Sequence, residues 1–265
     1  LAGRTAVVVG GGSGWGRAAA VRLAREGAHV AVVDAAAEQV RQVVDVITAE
    51  GNSGTGFTCD PADHPGLVAV EGQLTGGRGT VDVLVNNHMH LYWASIEEGD
   101  VEEFAAIVRF NLVGPVASTK AFLPALKRAG RGSIVHLGSV DGLYGNPRVP
   151  SYSASKGGVV PLTHVMAYEF APFDIRVNAI ASAQTNQVTS DTSTHTLNQL
   201  PPGWERFPGD WYTQQLADAT PLKRYGSPEE WAGPIAFLAS DDAAYVTGSV
   251  LVVDCGRTGL TPGTQ

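Results

Sequence analysis

Cysteine is scarce in this sequence. The 265 residues hold two, Cys59 and Cys255. They are too distant for a metal-ligand spacing and too few for a disulfide framework, which suits a reducing cytosol. Positive charge is short as well. Eighteen Lys and Arg stand against 26 Asp and Glu, a formal net charge of -8, which argues against a nucleic-acid or anionic-membrane surface. No apolar run reaches the length of a bilayer span. The N-terminus enters a strand-like run directly, so no signal peptide is expected. His88 and His90 form His-x-His, but no carboxylate or cysteine neighbours them at ligand spacing, and no metal is expected. What remains is an ordinary globular composition, 44% hydrophobic and 17% charged. It predicts one large cytoplasmic domain over residues 1–265, acting on a small molecule, with no nucleic acid or membrane as partner.

Apolar runs and helical patterns alternate along the chain. Thr5–Val9 (TAVVV), His29–Asp34 (HVAVVD), Gly54–Cys59, Val81–Val85 (VDVLV), Gly132–Ser139 (GSIVHLGS), Ile175–Ile180 (IRVNAI) and Ser249–Val253 (SVLVV) read as strands. Most are buried on both faces, as in a parallel sheet. Helices are predicted over Arg17–Gly27, Ala36–Glu50, Pro65–Thr75, Glu97–Val116, Thr119–Arg128 and Tyr152–Phe170. One more runs from about Ser227 to Leu238, with Ser227-Pro228-Glu229-Glu230 as its capping box. Seven strands alternating with helices predict a doubly wound, Rossmann-type α/β fold with helices on both faces.

The first β-to-α turn is Gly10-Gly11-Gly12-Ser13-Gly14-Trp15-Gly16. Glycines there let the backbone approach a pyrophosphate, whose charge the following helix N-terminus favours. Asp34 ends the next strand. An acid at that place accepts hydrogen bonds from ribose hydroxyls and repels a 2′-phosphate, which favours NAD over NADP. Gly10, Asp34, Asp60, Asn87 and Ser139 each follow a strand, so one crevice at the strands' carboxyl ends can hold them all.

The stretch Ser139–Lys156 (SVDGLYGNPRVPSYSASK) carries the second signal. Tyr152 and Lys156 stand at i and i+4, on one face of a helix. A neighbouring ammonium is expected to lower the phenol's pKa, so that Tyr152 serves as general acid or base. The same spacing also suits a plain helix face with a snorkelling lysine. In combination these motifs resemble the short-chain dehydrogenases/reductases (SDRs), nearly end to end. Gly10-x-x-x-Gly14-x-Gly16 is similar to that family's nucleotide loop, with Ser13 and Trp15 inside it. Asp60 and Pro61 match the residues beside the adenine ring. Asn86-Asn87 begins its Asn-Asn-Ala-Gly stretch, and Asn111, Ser139, Tyr152 and Lys156 match its catalytic tetrad.

The resemblance implies hydride transfer with a nicotinamide cofactor. Tyr152 would exchange a proton with the substrate oxygen, Ser139 would position that oxygen, and Lys156 would hold the ribose and lower the tyrosine pKa. Asn111 would anchor a water leading from Lys156 to solvent. The family also implies a homotetramer or homodimer, with the 152–170 and 111–128 helices at an interface. Departures are Val9 for threonine, Trp15 for a smaller residue, His88-Met89 for Ala-Gly, and Ser182-Ala183 for Pro-Gly. Bulk at Trp15, His88 and Met89 is expected near the nicotinamide.

Residues 183–220 read as a long lid, with Trp204, Phe207, Trp211 and Tyr212 suited either to a bulky, cyclic or aromatic apolar substrate or to anchoring. His88, Met89, Asp141, Tyr144, Trp204 and Trp211 are the candidate pocket residues, and Tyr92, Trp93 and Asn146 are further possible contacts. The reading is an NAD-dependent alcohol dehydrogenase or ketoreductase. The alternatives are a non-catalytic NAD-binding regulatory protein and an SDR-type epimerase or dehydratase. An enoyl reductase would carry tyrosine seven residues before the lysine, where this chain has Val149.

Overall fold

Along the first strand, Ala6 and Val8 pack into one core and Val7 and Val9 into another. Successive side chains of a strand point to opposite faces. A strand apolar on both faces therefore needs cover on both, and this sets the architecture. The computed structural model of the protein describes residues 1–77, 79–147, 149–183, 217–218 and 220–259. Seven strands form one parallel sheet in the order β3-β2-β1-β4-β5-β6-β7. They are β1 Thr5–Val9, β2 His29–Asp34, β3 Gly54–Thr58, β4 Val83–Asn86, β5 Gly132–Ser139, β6 Ile175–Ser182 and β7 Val250–Val253.

Helices α1 (Gly14–Arg25), α2 (Ala37–Ala49) and α8 (Pro228–Ala239) cover one face through Leu23, Val43, Trp231 and Ile235. Helices α3 (His64–Thr75), α5 (Gly114–Ala129) and α7 (Pro150–Phe170) cover the other through Leu67, Phe122, Leu126 and Met166. The described residues also include α4 (Val101–Val108) and the four-residue α6 (Asp141–Tyr144). Among the described residues, no helix is long and apolar enough to cross a membrane.

Most predicted elements form near their predicted bounds, and the capping box at Ser227 and Glu230 is made. The single helix predicted over 97–116 is different. Its N-cap is Asp100, whose carboxylate accepts the backbone N–H of Glu102 and Glu103, so α4 starts at Val101. Residues Arg109–Val113 then form a π turn that joins α4 to α5. Such turns recur where a helix is bent to serve a site, and Asn111 is the residue this one buries.

The sheet reverses direction of build between β1 and β4, and ligands bind at such a switch point. There the Asn87 backbone N–H donates to Val9 O at 2.9 Å, and its side-chain Nδ2 donates to Gly10 O at 2.8 Å.

Candidate active site

A cleft of about 550 Å³ opens beyond the carboxyl ends of β1, β2 and β4. Gly10, Ser13, Gly14, Trp15, Asp34, Asp60, Pro61 and Asn87 all line it. Gly16 lies beneath the loop: a Cβ there would overlap the Gly10 carbonyl oxygen. Gly10 and Gly14 have φ of +77° and +50°, the left-handed region that favours glycine. The Asp34 carboxylate accepts from the backbone N–H of Gly12 at 3.0 Å and of Ala36 at 3.3 Å. It is thereby fixed at the end of β2 with its charge toward the cleft. Asn87 Oδ1 is buried at the cleft wall with no hydrogen-bond partner. A glycine cradle free of side chains, an oriented acid and an orphaned acceptor are what the sugar hydroxyls and phosphates of a dinucleotide require. The residues present fit that group.

Ser139, Tyr152 and Lys156 are not among the residues that line this cleft: Ser139 ends β5, and Tyr152 and Lys156 lie on the first turns of α7, behind the cleft residues Met89 and Leu91. All three are buried. The Ser139 hydroxyl donates to Ser182 O at 3.4 Å and accepts the Asp141 backbone N–H at 3.1 Å, and it lies close enough to the Tyr152 phenol to counter part of its rise in pKa. Leu91 and Val149 pack with Tyr152, and Met89 and Trp93 close around them. The phenol thus faces an apolar wall.

Lys156 and Tyr152 share a helix face, as their spacing predicts, but the lysine is engaged elsewhere. Its Nζ donates to His88 O at 2.6 Å and Leu137 O at 2.7 Å, and lies 5.8 Å from the centre of the tyrosine ring. The expected lowering of the phenol pKa is absent in the ligand-free protein. Burial pushes Tyr152 up; the Ser139 hydroxyl opposes that rise and the Asp141 carboxylate adds to it. Burial also brings Lys156 down to about 7. The physical reason is that desolvation disfavours the charged form of each group, and the ammonium is not placed against the phenol oxygen to offset it.

Asn111 clamps the segment after β4. Its Oδ1 accepts the His90 N–H at 2.7 Å, and its Nδ2 donates to His90 O at 2.8 Å and to Ser155 Oγ at 3.1 Å. The amide therefore holds the chain that presents Met89 to Trp93.

Two candidate pocket residues, His88 and Tyr144, are not among those that line the cleft. The His88 ring, expected at the substrate, is fully buried and turned from the cleft, with Nε2 2.7 Å from Pro61 O and an edge contact to Phe110. Tyr144 is 71% exposed on the short α6, because that helix has only one side against the protein. Trp15 lines the cleft, as expected of the nucleotide loop, and also packs against Trp231 of α8 in a tilted contact, with ring centroids 5.4 Å apart and planes at 45°, so its bulk is shared with the core. Met89 does line the cleft, and Asp141 is half-buried, accepting from Asn146 Nδ2 at 3.1 Å. Trp204, Phe207, Trp211, Tyr212 and most of the expected lid lie outside the described residues.

Sequence reading missed Glu103, Ile107 and Phe110, which line the cleft from α4 and the π turn. Their i, i+4, i+7 spacing was the available signal. It also passed over the apolar wall residues Leu91 and Val149, for which no local pattern exists. Among the described residues, no three His, Cys, Asp or Glu side chains gather as a metal site.

A family profile described as Enoyl-(Acyl carrier protein) reductase matches residues 10–258. The chain is 32% identical to the trans-4-hydroxycyclohexanecarboxylate dehydrogenase of Sinomonas cyclohexanicum, over 97% of this chain and 94% of that one. Among solved structures, a gluconate 5-dehydrogenase from Burkholderia cenocepacia J2315, in complex with NADP and tartrate, superposes with a TM-score of 0.86 at 27% identity, covering 98% of this chain and 97% of that one. A short-chain type dehydrogenase/reductase from Mycobacterium marinum gives a TM-score of 0.85 at 30% identity over 97% and 96%.

Proposed function

This chain belongs to the short-chain dehydrogenase/reductase family of NAD(P)-binding oxidoreductases, and we propose that it interconverts a secondary alcohol and a ketone using NAD(H). The observation that carries this reading is the Ser139–Tyr152 pair facing the wall of Met89, Leu91, Trp93 and Val149. On this reading the two hydroxyls share one substrate oxygen, and the surface around Tyr152 is apolar. A bulky or ring-bearing hydrocarbon skeleton suits that wall better than a polyol does. The cyclohexane ring in the name of the Sinomonas relative agrees with this choice.

The nicotinamide ring, when bound, gives or receives the hydride. The chain's own residues handle the oxygen and the proton. Ser139 donates to the substrate oxygen and holds it beside the phenol. In reduction, Tyr152 delivers its proton as negative charge develops on that oxygen. Burial keeps the phenol protonated at neutral pH, the form that donation requires. In oxidation, Tyr152 first gives its own proton up to solvent; the phenolate, whose negative charge the Lys156 cation offsets, then accepts the alcohol proton and returns to the neutral phenol. Asn111 keeps the Met89–Trp93 wall in place. Gly10, Ser13, Gly14 and Gly16 shape the phosphate cradle, and Asp60, Pro61 and Asn87 shape the nucleoside side of the cleft.

NAD is the preferred cofactor on this reading because Asp34 faces the cleft, and no Lys or Arg lines it among the described residues. Two unit charges 4 Å apart interact by about 4 kcal/mol at an effective dielectric constant of 20, enough to set cofactor choice. Asp34→Ala is expected to lower kcat/KM with NAD and raise it with NADP, each by roughly tenfold to a hundredfold, given a repulsion of that size after salt screening. The test is steady-state kinetics on cyclic, aromatic, acyclic and polyol secondary alcohols with both cofactors. Turnover confined to polyols, or to NADP, rejects the reading. The engagement of Lys156 with two carbonyls favours a second one, a non-catalytic dinucleotide sensor. It predicts NADH binding with no turnover on any of these substrates.

A further inference from the structure

His88 follows the Asn86-Asn87 pair at the end of β4, and its ring is fully buried. It touches both halves of the site. The ring nitrogen Nε2 meets the carbonyl oxygen of Pro61, in the loop that lines the nucleoside side of the cleft, at 2.7 Å. A carbonyl only accepts, so Nε2 carries the proton and Nδ1 is left as an acceptor. The main-chain oxygen of the same residue accepts the Lys156 ammonium at 2.6 Å. The fold has made room for this ring: a Cβ on Gly114, at the start of α5, would lie 2.5 Å from its Cδ2. Phe110 braces the ring edge at a centroid distance of 5.5 Å. Two residues on, Asn111 holds the backbone of His90 at both its N–H and its C=O. The segment 88–90 is thus pinned by a side chain at each end, and the carbonyl that receives Lys156 lies within it.

We propose that His88 is a positioning residue, a strut that ties the Asp60–Pro61 loop to Lys156 and holds the ammonium in its dry pocket between two main-chain carbonyls. The proposal rests on the reading of Lys156 as part of the oxidoreductase site, but its geometry is independent of substrate. Burial keeps the imidazole neutral at physiological pH, its pKa held down to about 4, so the strut carries no charge to compete with the ammonium. A buried neutral ring is also an ordinary core feature. The difference lies in what moves when the ring is removed. A core residue alters stability alone, whereas a strut alters the protonation of Lys156.

The chain has four lysines, at 120, 127, 156 and 223, so the ligand-free protein can be followed by NMR titration of 13C-labelled lysine, with the Lys156 signal assigned by its loss in Lys156→Met. The wild-type signal is expected to titrate near pH 7, because burial lowers the Lys156 pKa to about 7. In His88→Ala, with water admitted and the carbonyl released, that midpoint is expected to rise by about a pH unit or more. His88→Gln, whose amide can still donate to Pro61 O, restores it. Gly114→Ala, which displaces the ring from behind without touching Lys156, reproduces the rise. In turnover, His88→Ala raises the KM for NADH more than it lowers kcat, and the acidic limb of the pH profile moves with the NMR midpoint. An unmoved Lys156 midpoint in both His88→Ala and Gly114→Ala overturns the strut, and so does a rise that His88→Gln fails to reverse. Should His88→Ala not fold, Gly114→Ala and His88→Gln decide the matter. A moved midpoint in a protein that turns over no alcohol or ketone leaves the strut standing and removes the proposed function instead.

Discussion

Tyr152→Phe is expected to lower kcat by about 10²–10⁴-fold, the usual contribution of a positioned acid or base, while the protein keeps its fold. The ring makes the contacts with Leu91 and Val149 that hold this part of α7, and phenylalanine retains them. Only the hydroxyl and its interaction with Ser139 are removed, a cost of about 1 kcal/mol. In a chain of this length that amounts to a melting shift of roughly 2–4 °C. The pH profile separates this role from mere packing. Oxidation needs the phenol proton gone, and burial holds that proton tightly, so the wild-type oxidation rate rises with pH on the alkaline side. The rise disappears in Tyr152→Phe. Circular dichroism, thermal melting and steady-state rates on one alcohol–ketone pair check all three points. Wild-type turnover in the variant would show that another group carries the proton.

Lys156→Met is expected to abolish turnover to a similar degree and to change stability in a pH-dependent way. Burial brings the folded pKa down to about 7, against 10.5 for the solvent-exposed side chain of the unfolded protein. Below pH 7 the group is charged in both folded and unfolded chains, and the full cost of burying the ammonium is present. Between pH 7 and 10.5 the unfolded chain binds the extra proton, so wild-type stability gains with rising pH. Methionine has no such term. The stability of Lys156→Met relative to wild type is therefore greatest at pH 7 and below. It declines by roughly 4–5 kcal/mol by pH 10.5, at 1.36 kcal/mol per pKa unit. A constant offset accompanies this, because the carbonyls of His88 and Leu137 lose their donor at about 1–3 kcal/mol each. Urea unfolding of both proteins across that window measures the slope directly. A flat difference would mean that Lys156 stays charged in the fold.

The fold was legible wherever one local rule decided the outcome. β1, β2 and β5 have their predicted ends because each is an apolar run closed by glycine or a polar residue. The start of α4 was misplaced, although Asp100 followed by Glu102 and Glu103 is an N-cap with an acidic first turn. The π turn at Asn111 left no local trace. It is held by the bonds of Asn111 to His90 and Ser155, distant partners in the sequence. The apolar wall was hidden for the same reason, since Leu91 and Val149 meet only because β4 and α7 end at one crevice.

The amino-acid sequence by itself determined the kind of each element, the glycine cradle at Gly10–Gly16 and the acid at Asp34. Those features follow from period, backbone freedom and residue type, all local. Tertiary structure alone decided that Lys156 turns to two main-chain carbonyls, that burial raises the pKa of the Tyr152 phenol, and that the buried His88 ring meets Pro61 O. Each of these depends on desolvation and on hydrogen-bond partners from remote strands and helices, and water exclusion is a property of the packed whole.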